Sequence, residues 1–321
     1  YYDSIQNAQL MQQAELEAKQ AELNKPIFEE TDSDSIKMAK ASYTLGDFAQ
    51  GALGSEEIVT LENEVVKIVF STKGALVESV VLKDYLNYKK ETLTLFEKGD
   101  NWFSIELPTR SNRMLQTADM NFRVGAKTDS SVVFTLPVDG GRSLDFIYVL
   151  HPNDYMVDFD VKANGLSEVL QPVDALKSYW KYKVRQQEKG RKFENRYSQI
   201  YYYLTDDEDY EYLSETSSET EEVNEKIRWI AYKDQFFSSV LIADNSIKSA
   251  TMSSELEPDK SEYLKAYSST IMLPYEGGNS QMDLRLFFGP NKYSLLKDYD
   301  DGVPSDEELN LQTLVPLGIS L

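Results

Sequence analysis

Two runs of alternating apolar residues, separated by a short polar interruption, recur along this chain. The first pair lies at residues 65–85. Val66, Ile68 and Phe70 share one strand face, because side chains alternate with period two along a strand. The interruption is Ser71 to Gly74, where a glycine takes a positive φ without steric cost. Leu76, Val80 and Leu82 then return on one face, with Val77 and Val81 on the other, so a hairpin is expected. A second hairpin is expected at "LDFIYVL–HPND–YMVDFDV". There Tyr155, Val157, Phe159 and Val161 oppose Met156, Asp158 and Asp160, and Pro, Asn and Asp supply the turn.

Short β runs continue through "TLTLF", "WFSIEL", "WIAY", "FFSSVLIA", "STIML" and "MDLRLFF". Strand follows strand with no helix interleaved, which predicts a mainly β, antiparallel sandwich rather than a parallel α/β sheet. Within it Val66, Ile68, Phe70, Val157, Phe159, Leu284 and Leu286 are expected to be core. Residues 1–24 are rich in Ala, Gln, Glu and Leu and read as a helix with too few large apolars to dock, a solvated stalk. Residues 25–56 are polar and contain glycine, and read as a linker. The sandwich should span 57–290. Helix returns near Asn291–Asp298, and Ser305 with Glu308 fits a capping box opening a second turn, so 291–321 reads as C-terminal helices.

Charge changes this picture in two places. The 54 acids outnumber the 33 bases, for a formal net charge of −21. Such a balance repels phosphate backbones and anionic lipid, so nucleic acid is not an expected partner and a monomer is. The middle of the chain is also polarised. Eight bases fall between Lys177 and Arg196, then ten acids and no base between Asp206 and Glu225, a pattern expected of a solvated hairpin with an acidic tip.

Candidate chemistry is sparse. There is no cysteine, which excludes disulfides, thiolate metal sites and cysteine nucleophiles. His151 is the single histidine and lies in a turn sequence, so a Ser-His-Asp arrangement or a two-histidine metal site has little to rest on. "DYDDGVPSDEEL" misses the calcium-loop register, since Gly302 falls at position 5 and Leu309 at position 12. Neither catalytic residues nor a cofactor nor a metal is expected. Tyr179, Trp180 and Tyr182 are candidates for an aromatic sheet-face platform. Leu311, Leu314, Val315, Leu317, Ile319 and Leu321 belong to thirteen uncharged residues, too few to span a bilayer but able to lie at its surface, to begin a longer segment or, alternatively, to form an edge of the sandwich core. A chain starting at Tyr1 without methionine reads as a fragment.

"STKGALVESVVLKDY" resembles the first hairpin of the large periplasmic domain of the bacterial membrane-protein insertase YidC, with Lys73, Gly74, Leu82 and Tyr85 as the matching positions and Ala75 in place of a usual second glycine. "IRWIAYKDQFFSSVLI" (Trp229, Gln235, Phe236, Phe237), "LRLFFGPNKYSLLKDY" (Gly289, Pro290) and "LVPLGISL" are similar to later stretches of that family, in the style of its Bacteroidetes members. The resemblance implies a galactose-mutarotase-like β-supersandwich, two large antiparallel sheets face to face. It also implies a non-catalytic role on the periplasmic side of the inner membrane, between transmembrane segments outside this chain. The Sec translocon with its accessory subunits, nascent membrane proteins and the membrane surface near the C-terminus would be the partners. A peptide- or glycan-binding module is the alternative, and a sugar-active mutarotase-like enzyme a more distant one.

Overall fold

A computed structural model describes residues 25–316, together with Asn7, Met11, Ala14, Glu15, Glu17 and Ala18. Those six N-terminal residues are helical with exposed side chains. The expected linker is not one. Helix α1 (Asp34–Leu45) is capped by Ser33, whose hydroxyl accepts from the Ile36 amide, and a 3-10 segment comes next at Gly46–Ala52. Ala41, Leu45 and Phe48 recur at helical spacing and are buried, a stripe hidden in the sequence by the Ser, Asp and Gly around it. Arg113 and Arg123 donate to the Tyr43 and Gln50 carbonyls and fasten this segment to the sandwich.

The described residues then form nineteen strands. The first seven are β1 (Ile58–Glu62), β2 (Val66–Ser71), β3 (Leu76–Leu86), β4 (Thr92–Phe96), β5 (Asn101–Pro108), β6 (Met114–Gln116) and β7 (Arg123–Lys127). Next come β8 (Ser131–Val138), β9 (Arg142–Leu150), β10 (Met156–Asn164), β11 (Ala175–Arg185), β12 (Gln199–Leu204) and β13 (Asp209–Tyr212). The last are β14 (Glu219–Val223), β15 (Ile227–Lys233), β16 (Phe237–Ile247), β17 (Ser249–Leu256), β18 (Tyr263–Pro274) and β19 (Gln281–Pro290). Two more short helices occur among them, α2 (Arg191–Arg196) and α3 (Tyr293–Asp298), so helix is not confined to the C-terminal end.

All pairings between these strands are antiparallel, in three sheets. A nine-stranded sheet runs β13-β12-β15-β16-β19-β10-β9-β8-β7. Facing it are a six-stranded sheet, β14-β17-β18-β11-β5-β6, and a four-stranded sheet, β1-β2-β3-β4. The expected second layer is therefore split: β3 lies beside β5 with no ladder between them, and the Asn101 side chain bridges to the Val77 carbonyl. Aromatic rings fill the space between layers. Phe70 meets Tyr148 at 4.6 Å, Phe103 meets Phe159 at 5.9 Å and Trp180 stacks on Tyr232 at 3.7 Å. Six of the seven expected core residues are buried, and Leu286 is half-buried.

The first hairpin forms with a change of register. Val69 pairs with Ser79, but Phe70 pairs with Val77, so the returning strand carries a bulge. That extra residue puts Val77 on the buried face with Val80 and Leu82 and leaves Leu76 half-exposed, against strict alternation. At the turn Gly74 has φ +78°, and a Cβ there would stand 2.9 Å from the Ala118 Cα. Ala75 is also left-handed, at φ 49°, and its carbonyl accepts from the buried Tyr148 hydroxyl at 2.7 Å. The acidic stretch is not one hairpin either. Its strands β13 and β14 join different sheets, and the chain crosses between layers at buried Leu213.

Candidate functional site

Strand β15 is buried on both faces, which requires a cover on the side away from the sandwich interior. Ile230 and Tyr232 point inward, where the Tyr232 hydroxyl donates to the Trp180 carbonyl. Trp229, Ala231 and Lys233 therefore point outward, and the C-terminal segment covers them. The Trp229 indole N–H donates to the Leu309 carbonyl at 2.7 Å, and the Lys233 ammonium donates to the Leu314 carbonyl at 3.0 Å. Between these two anchors the Asn310 amide donates to the Tyr203 hydroxyl at 2.9 Å. Upstream, the Asp300 carboxylate accepts from the backbone amides of Leu309 and Asn310. Tyr299 closes the start of the segment against Phe287, its hydroxyl on Asp154 at 2.7 Å.

Burial holds Lys233 down to about 8, against the opposing pull of Asp234, because a desolvated ammonium is costly. Its partial compensation is the Tyr201 ring, 4.6 Å away. The segment is thus pinned through one indole, one phenol and one ammonium on the outer sheet face. Beside it opens a cleft of about 550 Å³ lined by Arg228, Asp244, Arg285, Tyr299 and Glu307. Both of its arginines are already engaged. Arg285 pairs with Asp244 at 2.7 Å, and Arg228 donates to the Asp244 and Asp306 carbonyls.

These contacts correct the expectation for the coupling residues. Leu311 and Leu314 are buried against the sandwich, so neither lies open to a bilayer, and Val315 is half-buried. Leu317, Ile319 and Leu321 lie outside the described residues. No helix opens at Ser305: residues 305–307 are a turn, closed by the Glu307 amide on the Pro304 carbonyl. The aromatic platform is also not formed. Trp180 and Tyr182 point into the core, while Tyr179 is on the outer face with its hydroxyl on Glu106, because successive strand residues cannot share a face. The family turn positions scatter by role, with Lys73 exposed, Gly74 and Leu82 buried, and Tyr85 half-buried against Phe237.

His151 is exposed and meets Asp158 at 3.0 Å on the surface. Among the described residues no three His, Cys, Asp or Glu side chains gather as a metal site. The void between the sheets near Tyr148, Phe159 and Trp180 holds about 20 Å³, room for a water and not for a sugar ring. Sequence reasoning missed Lys233 and Asp300 as anchors. The signal for the first was available, since "IRWIAYK" lacks the polar alternation of a strand with one open face.

The three sheets and the covered outer face define an antiparallel β-sandwich domain whose C-terminal segment is part of its own structure. The chain belongs to the YidC periplasmic domain family, whose model matches residues 58–320. The "Membrane protein insertase YidC" of Parabacteroides distasonis is 38% identical, over 99% of this chain and 51% of that protein. That of Azobacteroides pseudotrichonymphae is 40% identical, over 90% and 47%. The chain spans about half the length of the curated relatives it matches. Among solved structures, the periplasmic domain of Thermotoga maritima YidC has a TM-score of 0.39 at 11% identity, covering 82% of this chain and 96% of that one. A galactose mutarotase-like protein from Lactobacillus casei has a TM-score of 0.45 at 14% identity, covering 73% and 100%. Both likenesses are distant, and the fold rests on the sheets themselves. Among the described residues no helix is long and apolar enough to cross a membrane.

Proposed function

We propose that this chain is the non-catalytic periplasmic module of a membrane protein insertase, held between transmembrane segments and rigidly joined to the one on its C-terminal side. The observation that carries this reading is the pinned C-terminal segment. Trp229 and Lys233 hold the Leu309 and Leu314 carbonyls, so the chain is packed onto the sandwich as far as Leu314. In this reading the partners are nascent membrane proteins and the Sec translocon with its accessory subunits, and the domain acts as a monomer. His151 and its partner Asp158 lie exposed on the surface, away from the small void between the sheets, which gives sugar chemistry little to use.

The test is complementation of insertase-depleted cells with a full-length protein carrying this domain. Trp229→Phe with Lys233→Met removes both anchors while keeping the ring and the bulk. Insertion of a reporter membrane protein, read by protease protection, should fall at unchanged protein level. Replacing the acids at 206–209 should leave insertion unaltered. Normal insertion with both anchors removed would overturn the coupling role, and no insertion by the unaltered protein would overturn the insertase reading.

A further inference from the structure

The net charge of −21 conceals a basic, partly apolar end of the molecule. At that end β3 turns into β4, β11 leads into α2, β15 turns into β16, and β19 gives way to α3. Contacts make it one surface. The Tyr88 amide donates to the Gln187 carbonyl at 2.8 Å, and both Glu194 oxygens accept from the Gln187 amide. Tyr85 packs on Phe237, and the Asn291 amide donates to the Phe236 carbonyl at 2.6 Å. Lys233 and its partner Leu314 sit at the same strand ends.

Lys89, Lys90, Lys189, Lys192, Arg196 and Lys292 are all exposed here. Among the described residues none of these six has a carboxylate within the 4.0 Å reach of an ion pair, in a chain with 54 acids. Between them stand Leu86, Tyr88, Phe193 and Tyr293, with exposures of 61%, 44%, 50% and 53%. Lysines with aliphatic stems and amphipathic aromatic rings suit the boundary between water and acyl chains. Asp84, Glu91 and Glu188 are interspersed with these bases, whereas the opposite strand ends carry an unbroken run of acids. Asp206, Asp207 and Glu208 are exposed beyond Leu204, at the far end of β12 from the Gln199–Lys233 pair.

We propose that this basic end seats on an anionic phospholipid surface, with the acidic turn at 206–208 held away from it. The membrane is favoured over an acidic protein because exposed Leu86 and Phe193 have no use for a purely ionic partner. The segment leaving the domain is also pinned at this end, a point that rests on the membrane-tethered reading of the domain. Each base near an anionic leaflet raises the docked-to-free ratio about fivefold, which is modest for a free chain with this net charge and effective for a tethered one.

The chain has no cysteine, so a single introduced thiol carries a unique label. A fluorophore at Glu91→Cys reports the basic end and one at Asp207→Cys the acidic end. The chain is tethered by a C-terminal polyhistidine tag to vesicles of phosphatidylcholine with about 30% phosphatidylglycerol, a nickel-chelating lipid and a lipid-borne quencher. Quenching should be severalfold stronger at 91 than at 207, and should vanish in high salt and on plain phosphatidylcholine. Exchanging the six bases for Glu should abolish it, and Phe193→Ser with Tyr293→Ser should weaken it, both with unchanged thermal unfolding. Equal quenching at the two labels, or on plain phosphatidylcholine, would overturn the proposal. Protection of the label at 91 by soluble polyglutamate but not by vesicles would also overturn it, in favour of an acidic protein segment. No insertion step enters the readout, so its failure is distinct from failure of the insertase reading.

Discussion

The two layers of the sandwich differ in what lies on their outer faces. Outside the nine-stranded sheet, the segment from Tyr299 to Leu314 covers β12, β15 and part of β19. Outside the six-stranded sheet, β11 presents Lys177, Tyr179, Lys181 and Lys183 with no element of the described chain laid over them, and Lys181 rests on the Trp102 ring at 4.9 Å. The sequences record the difference. "ALKSYWKYKVR" alternates buried and open residues along its whole length, whereas "IRWIAYK" is closed on both sides. A strand with one polar face is complete within its sheet. A strand without one depends on a segment that arrives much later in the chain.

The comparison breaks first at Trp229. Replacing it with Ala should cost about 3–5 kcal/mol in chemical denaturation, because a fully buried indole and its bond to Leu309 are both lost. A loss below that of an exposed-site control would show that the C-terminal segment is not part of the fold.

Lys233→Met should cost less, about 1–3 kcal/mol, since the Leu314 carbonyl loses its donor while the methionine keeps the packing. Its pH signature has a definite sign. The folded state holds the Lys233 proton less tightly than the unfolded chain does, so between about 8 and lysine's ordinary 10.5 unfolding takes up a proton. Lys233 therefore adds stability that grows as pH rises through this window. Relative to the wild type, the variant should lack that rise. Parallel pH–stability curves for the two proteins would contradict the buried-ammonium assignment.

The smallest effect is expected on the open face. Lys181→Thr should change stability by less than about 0.5 kcal/mol, as for most exposed substitutions. A larger loss would mean that the lysine row of β11 is covered in solution.

Much of the sandwich was legible in the chain. The strands around Val66–Phe70, Phe146–Leu150 and Val157–Val161 keep period two, and their buried residues are the ones the pattern selects. The family was legible too, in Lys73, Gly74, Trp229 and the Gly289–Pro290 pair, which read as a turn and in fact closes strand β19. Less of the candidate site was. Leu311 and Leu314 read as a membrane-facing run because an uncharged stretch looks alike whether it meets lipid or a sheet. Alternation was misread where a bulge intervened at Glu78, and helix α1 was lost among polar neighbours.

The sequence by itself determined the strand faces, the turn at Gly74, the absence of thiol chemistry and the family, because period, turn stereochemistry and residue identity are local properties. Tertiary structure alone decided which strands share a sheet, why β15 needs a cover, and where the charges gather. Lys89, Lys192 and Lys292 are scattered along the chain, and they become one surface only when three strand ends meet. Burial, likewise, belongs to neighbours rather than to residues. Lys233 is an ordinary lysine until the Leu314 carbonyl, more than eighty positions later, closes over it.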